Sequence, residues 1–141
     1  MKLLVTGGAG FIGSAVVRQA VQAGHSVVNL DALTYAACLD NVASVAGSPL
    51  YAFEHVDIRN RAALDRALAD ARPQVILHLA AQALVRRSYR DPVGTFASNV
   101  LGTVQLLDAA RACADLRAAA GATSDKAFDN AGRVAGCRES D

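Results

Sequence analysis

Four glycines crowd the segment Thr6-Gly7-Gly8-Ala9-Gly10-Phe11-Ile12-Gly13, which follows the apolar run Lys2 to Thr6. Two overlapping registers fit it, GxGxxG from Gly8 to Gly13 and GxxGxxG at Gly7, Gly10 and Gly13. Missing Cβ atoms let a backbone turn tightly and approach a pyrophosphate. Free N–H groups and the positive dipole at a helix start then meet that charge. Phe11 and Ile12 are the first residues of such a helix. Asp31 closes the next β-branched run, Ser26 to Leu30. Its carboxylate suits the 2′-OH of a ribose and repels a 2′-phosphate, so the chemistry implied is binding of NAD rather than NADP. The bland reading is a tight strand-to-helix connection with a loop-capping acid. A strand before the glycines, a helix after them and an acid at the end of the next strand favour the dinucleotide.

The elements that must position these residues are legible in turn. Phe11, Ala15, Val16, Ala20 and Ala23 recur at helical spacing, and Gly24 stops that helix. Tyr51 to His55 reads as a third strand, and Arg59 to Ala71 as a helix with Asn60 as its cap. Asp57 stands where it either reaches an adenine ring or caps that helix. Pro73 forces a break, Val75 to Leu79 is a strand apolar but for His78 near its end, and Pro92 to Cys113 carries one long helical pattern with proline near its start. Leu116 to Ala122 sits where a fifth strand belongs, but its alanines predict a weak one. Strands alternating with helices predict a Rossmann-type, doubly wound parallel α/β sheet.

Composition narrows the functions further. The chain has 141 residues, 52% of them hydrophobic, which suits one core and one compact domain. A formal charge of +1 offers nothing global to nucleic acid or anionic membrane. The first apolar run is too short for a signal peptide, and no stretch reaches the roughly 18 apolar residues of a membrane span, so the expected location is cytoplasmic. Cys38, Cys113 and Cys137 have no CxxC spacing, and His78 has no Cys, Glu or second His at ligand spacing. Free thiols, a packed histidine and no metal site are expected. Arg86 and Arg87 read as solvated surface near a helix start rather than as phosphate ligands.

Beyond these signals, the sequence resembles the extended short-chain dehydrogenase/reductases, and among them the dTDP-glucose 4,6-dehydratases. The likeness from Met1 to Ala81 is carried by Thr6 to Gly13, Ser14 to Arg18, Val28 to Ala36, Phe53 to Ile58, and His78-Leu79-Ala80-Ala81. From Gln82 to Tyr89, and at Thr123 to Lys126, it shifts toward CDP-glucose 4,6-dehydratases. The resemblance implies that Asp31, Ala32, Leu33 and Thr34 hold the adenosine ribose and that Asp57 and Ile58 flank the adenine. It implies also that Leu79, Ala80, Ala81 and Ala83 line the nicotinamide side and that Ser98 contacts the cofactor. The family reaction is internal redox on a nucleotide sugar. Hydride leaves C4 for NAD, water is lost across C5 and C6, and the hydride returns to C6. By the same likeness Ser124 hydrogen-bonds the C4 oxygen, Asp125 is the general acid on the C6 hydroxyl, and Lys126 is placed to take the C5 proton.

The family's YxxxK pair is absent from these residues, because Tyr35, Tyr51 and Tyr89 lack a lysine four positions on. The expectation is an amino-terminal NAD-binding portion without turnover of its own. Residues 1–130 would form an incomplete Rossmann domain and 131–141 an irregular tail, with the substrate domain missing. The helical run from Pro92 to Cys113 would by resemblance join a homodimer interface. The rivals are a non-catalytic dinucleotide-binding or interaction module and a UDP-sugar epimerase relative. Asp125 speaks against the epimerase, since only a dehydration needs that acid.

Overall fold

The computed structural model describes residues 1–124. Strand β1 (Lys2–Thr6) lies at the centre of the sheet and is buried from Leu3 onward, which is why its sequence is a run rather than an alternation. Helix α1 (Phe11–Gln22) follows the glycine-rich turn, and β2 (Ser26–Asp31) returns parallel to β1. A short 3-10 turn (Leu39–Val45) precedes β3 (Tyr51–His55), followed by α2 (Arg61–Ala71) and β4 (Val75–His78). The strand order is β3-β2-β1-β4-β5, and all four neighbouring pairs are parallel.

Successive residues of β1 point to opposite faces, and the core divides accordingly. Leu4 joins Leu30 and Ile76 beneath Leu64 and Leu68 of α2. Val5 joins Val27 beneath Val17 and Val21 of α1, with Val42 and Val45 of the 3-10 turn. Asn60 caps α2 as its sequence suggests, its side chain accepting from the Ala63 N–H at 3.1 Å. The helix closes at Arg72, which takes a left-handed φ of 45°.

The long helix expected from Pro92 to Cys113 runs from Pro92 to Ala110 with a π-turn inside it. A six-residue helix α3 (Val85–Arg90), not anticipated, comes before it. Asp91 then caps α4 (Pro92–Phe96) by accepting from the Gly94 N–H at 2.8 Å. A π-turn over Ala97–Leu101 separates α4 from α5 (Gly102–Ala110). Hydroxyls on both sides of the π-turn bond back to the preceding turn, Thr95 Oγ1 to the Asp91 carbonyl and Thr103 Oγ1 to the Asn99 carbonyl. Such bonds compete for the carbonyls of a regular ladder. Bonds from Ala112 N–H to Ala109 O and Cys113 N–H to Ala110 O tighten the end, so the helix stops short of Cys113.

Strand β5 (Ala118–Gly121) forms where a weak strand was expected, parallel to β4, and all four of its residues are exposed. Alanine and glycine offer the strand little to bury, so it is held by its backbone ladder. Among the described residues no helix is long and apolar enough to cross a membrane. Asp125, Lys126, Cys137 and the tail from 131 lie outside the described residues.

Candidate functional site

The carboxyl ends of β1, β2 and β4 open onto one cleft. Gly7 leaves β1 with a φ of +73°, and a Cβ there would stand 2.8 Å from the Ala80 nitrogen. Only glycine lets the first turn lie so close to the chain leaving β4. A Cβ on Gly13 would fall on the Gly7 carbonyl oxygen, so the GxxGxxG register is enforced by contact. Gly10 caps α1 with no side-chain acceptor, which leaves the N–H groups of the first turn for a ligand.

Asp31 is 7% exposed, and both of its oxygens are engaged. Oδ2 accepts from the Ala9 N–H at 2.9 Å and Oδ1 from the Leu33 N–H at 2.8 Å. The carboxylate therefore fastens the glycine turn to the end of β2. Each oxygen keeps a further lone pair for a hydroxyl donor. Leu33 pays for its bond with a left-handed φ of 50°. Asp57 does not cap α2, which is the task of Asn60. Its carboxylate instead accepts from the Arg59 N–H at 2.9 Å and from the Arg59 guanidinium at 2.6 Å. That side-chain hydrogen bond holds the Asp57 carboxyl below its ordinary range against the opposing effect of burial.

His78 stands behind the cleft. Its Nε2 lies 2.9 Å from Thr103 Oγ1, whose hydrogen is committed to the Asn99 carbonyl, so Nε2 carries the proton. Its Nδ1 accepts from the Thr6 hydroxyl at 2.7 Å. Thr6 Oγ1 in turn accepts from the N–H groups of Leu79 and Ala80 at 3.2 and 3.3 Å. Burial pushes the His78 pKa down, keeping the ring neutral in this chain of bonds. The packed histidine expected from the sequence thus sets the backbone that borders the cleft. Among the described residues no group of His, Cys, Asp and Glu is placed to hold a metal.

Of the residues singled out in the sequence, Gly7, Gly10, Asp31, Ala32, Thr34, Asp57, Ile58, Leu79, Ala80, Ala81 and Ser98 line this one cleft. Phe11, Ile12 and Gly13 form the helix start beside Gly10, and Leu33 and Ala83 adjoin lining residues in the chain. Ser98 reaches the cleft from the π-turn. Ser124 is exposed three residues beyond β5, and its expected companions Asp125 and Lys126 lie outside the described residues. Tyr35, Gln82, Arg87, Asp91 and Gly94 also line the cleft without having been singled out for it. Arg87, read as solvated surface, holds its guanidinium 4.9 Å from the centre of the Tyr35 ring. Tyr35 and Gln82 each adjoin a predicted cofactor residue and lie in segments that carry the family resemblance, which were the signals for them. The cleft opens to solvent at its mouth. Uncapped N–H groups, a buried carboxylate and apolar walls fit a dinucleotide.

Comparison with known proteins agrees. The family model of GDP-mannose 4,6 dehydratase matches residues 4–139. The chain belongs to this family. As a member of it, the chain is 53% identical over 111 residues to the dTDP-glucose 4,6-dehydratase of Neisseria gonorrhoeae, a match covering 78% of the chain and 32% of that protein. Covering 78% of the chain, that likeness extends past Ala81. A crystal structure of the Streptomyces venezuelae dTDP-glucose 4,6-dehydratase DesIV with NAD bound superposes with a TM-score of 0.72 at 42% identity, over 78% of this chain and 35% of that one. The UDP-glucose-4-epimerase of Stenotrophomonas maltophila, solved with NAD and formylated UDP-arabinopyranose, gives 0.78 at 31% identity, over 89% of this chain and 38% of that one. The chain thus spans about a third of the length of the relatives it matches. The five-stranded parallel sheet is that of the short-chain dehydrogenase/reductase dehydratases.

Proposed function

We propose that this chain is the NAD-binding portion of a nucleotide-sugar 4,6-dehydratase whose substrate is a dTDP-sugar. The observation that carries the reading is the convergence of the Gly7–Gly13 turn, the start of α1 and the carboxylate of Asp31 on one cleft. That cleft lies where the sheet order reverses between β1 and β4. The first turn of α1 takes the pyrophosphate, Asp31 the adenosine ribose with Ala32 and Thr34 beside it, and Asp57 and Ile58 the adenine. Leu79, Ala80, Ala81, Ala83 and Ser98 border the nicotinamide half. Bound NAD would supply the acceptor and donor of hydride. The protein's share is to orient it, to keep water from its reactive face, and to exclude NADP through the charge of Asp31.

A dTDP-sugar is favoured over a CDP-sugar by the 53% identity to a dTDP-glucose enzyme along a match that runs past Ala81. In this reading Ser124 bonds the sugar C4 oxygen, Asp125 protonates the departing C6 hydroxyl and Lys126 takes the C5 proton. None of the three tyrosines in these 141 residues has Lys four positions on. The exposed stripe Val93, Phe96, Val100, Val104 and Leu107 along α4, the π-turn and α5 is the face through which two copies pair. Amide NMR during titration with NAD tests the reading. The Phe11, Ile12 and Gly13 resonances should shift together with Leu33 and Ala80, and a titration that moves none of them contradicts it.

A further inference from the structure

Two walls of the cleft are tied together outside the dinucleotide motif. Tyr35, in the loop after β2, donates its phenol hydrogen to Gln82 Oε1 at 3.0 Å and accepts from the Ala83 N–H at 3.2 Å. Gln82, in the loop after β4, is a hub. Its Oε1 also accepts from the Leu84 N–H at 2.7 Å, and its Nε2 donates to Thr95 Oγ1 at 3.1 Å. Its backbone exchanges two bonds with the Asn99 side chain, N–H to Oδ1 at 2.7 Å and Nδ2 to the carbonyl at 2.9 Å. The carboxamide uses its donor and acceptor ends at once, which a carboxylate could not do. Arg87 then lies over the Tyr35 ring, 4.9 Å from its centre. Tyr35, Gln82 and Arg87 all line the cleft.

We propose that Tyr35 and Gln82 are positioning residues that clasp the β2 and β4 walls across the cleft and set how long the cofactor stays bound, with Arg87 holding the Tyr35 ring in place. This rests on the NAD-binding reading. The Tyr35–Gln82 bond is exposed, and Tyr35 itself is 47% exposed, so the fold does not depend on it. Its effect falls on the relative placement of the two walls. A ligand gripped by both leaves when they part, so loosening the tie speeds departure more than it slows arrival.

The test uses NADH as a fluorescent probe, displaced by excess NAD in stopped flow from the 141-residue chain. Tyr35→Phe removes both bonds of the hydroxyl, to Gln82 Oε1 and from the Ala83 N–H, and should raise the dissociation rate at least about fivefold. The thermal midpoint of the ligand-free protein should stay unchanged, and Tyr89→Phe, at a tyrosine outside the cleft that is 85% exposed, should match wild type. Tyr35→Phe combined with Gln82→Ala should speed dissociation by less than the two single effects multiplied, since both break the Tyr35–Gln82 bond and only the Ala83 N–H bond is lost with Tyr35 alone. Wild-type rates in Tyr35→Phe, or additive effects in the double variant, overturn the clasp while leaving NAD binding intact. Failure of the wild-type chain to bind NADH overturns both.

Discussion

Asp31 does two jobs with one carboxylate, and they separate experimentally. Its bonds to the Ala9 and Leu33 N–H groups are charge-assisted and buried. Asp31→Ala should therefore cost about 2–4 kcal/mol of stability in urea unfolding, beyond any loss of ligand binding. Leu33 is forced left-handed to make its bond, a conformation that costs a branched residue about 1 kcal/mol and asparagine less. Leu33→Asn should raise stability by up to about 1 kcal/mol in the same assay. His78 gives a pH dependence. Its folded pKa lies below its ordinary 6.5, so the unfolded chain binds the proton first. The contribution of the neutral ring is full above about pH 6.5 and is lost as pH falls through the folded value. The urea midpoint should drop on acidification from about pH 7.5 to about pH 5, and drop less in His78→Gln. The glycines and Asp31 were legible because each signal sits within a few residues of the element it ends. The Tyr35–Gln82 pair was not, because those residues are 47 positions apart and meet only when the sheet forms.

At the scale of elements, local chemistry announced what it controls. Asn60 was readable as a cap because a cap needs only a side-chain oxygen three residues before the N–H it accepts. Asn60→Ala should cost about 1 kcal/mol in chemical denaturation, while Asp57→Ala, at a carboxylate that turns back on Arg59, should leave α2 intact. The first four strands were legible as apolar or alternating runs, though β3 buries none of its residues, and the alanine-rich β5 is exposed throughout. The long helix was legible, but the π-turn between α4 and α5 was not. One extra residue in a π-turn leaves helix propensity and apolar spacing almost unchanged, and only the Thr95 and Thr103 back-bonds mark it. That π-turn matters because Ser98 reaches the cleft from within it. Helix α3 went unread for a related reason, since none of its residues is buried and no apolar stripe announces it.

Among the described residues, the centre of the sheet is buried on both faces while an apolar band along α4, the π-turn and α5 stays exposed. Val93, Phe96, Val100, Val104 and Leu107 stand exposed at helical spacing, with Phe96 at 68% and Val93 at 79%. Sedimentation should show concentration-dependent pairing of the chain, and Phe96→Asp with Val104→Asp should abolish it without changing the circular dichroism spectrum. A monomer at all concentrations would remove the pairing proposal. The sheet, its order and the cleft at its switch point depend on none of that. The central claim is that the cleft selects NAD, and calorimetry of the purified chain with NAD and with NADP tests it most directly. NAD should bind more tightly, because a 2′-phosphate would be set against the buried charge of Asp31, and the preference should shrink in Asp31→Asn. A folded chain that binds neither, or that binds NADP as tightly as NAD, would contradict it.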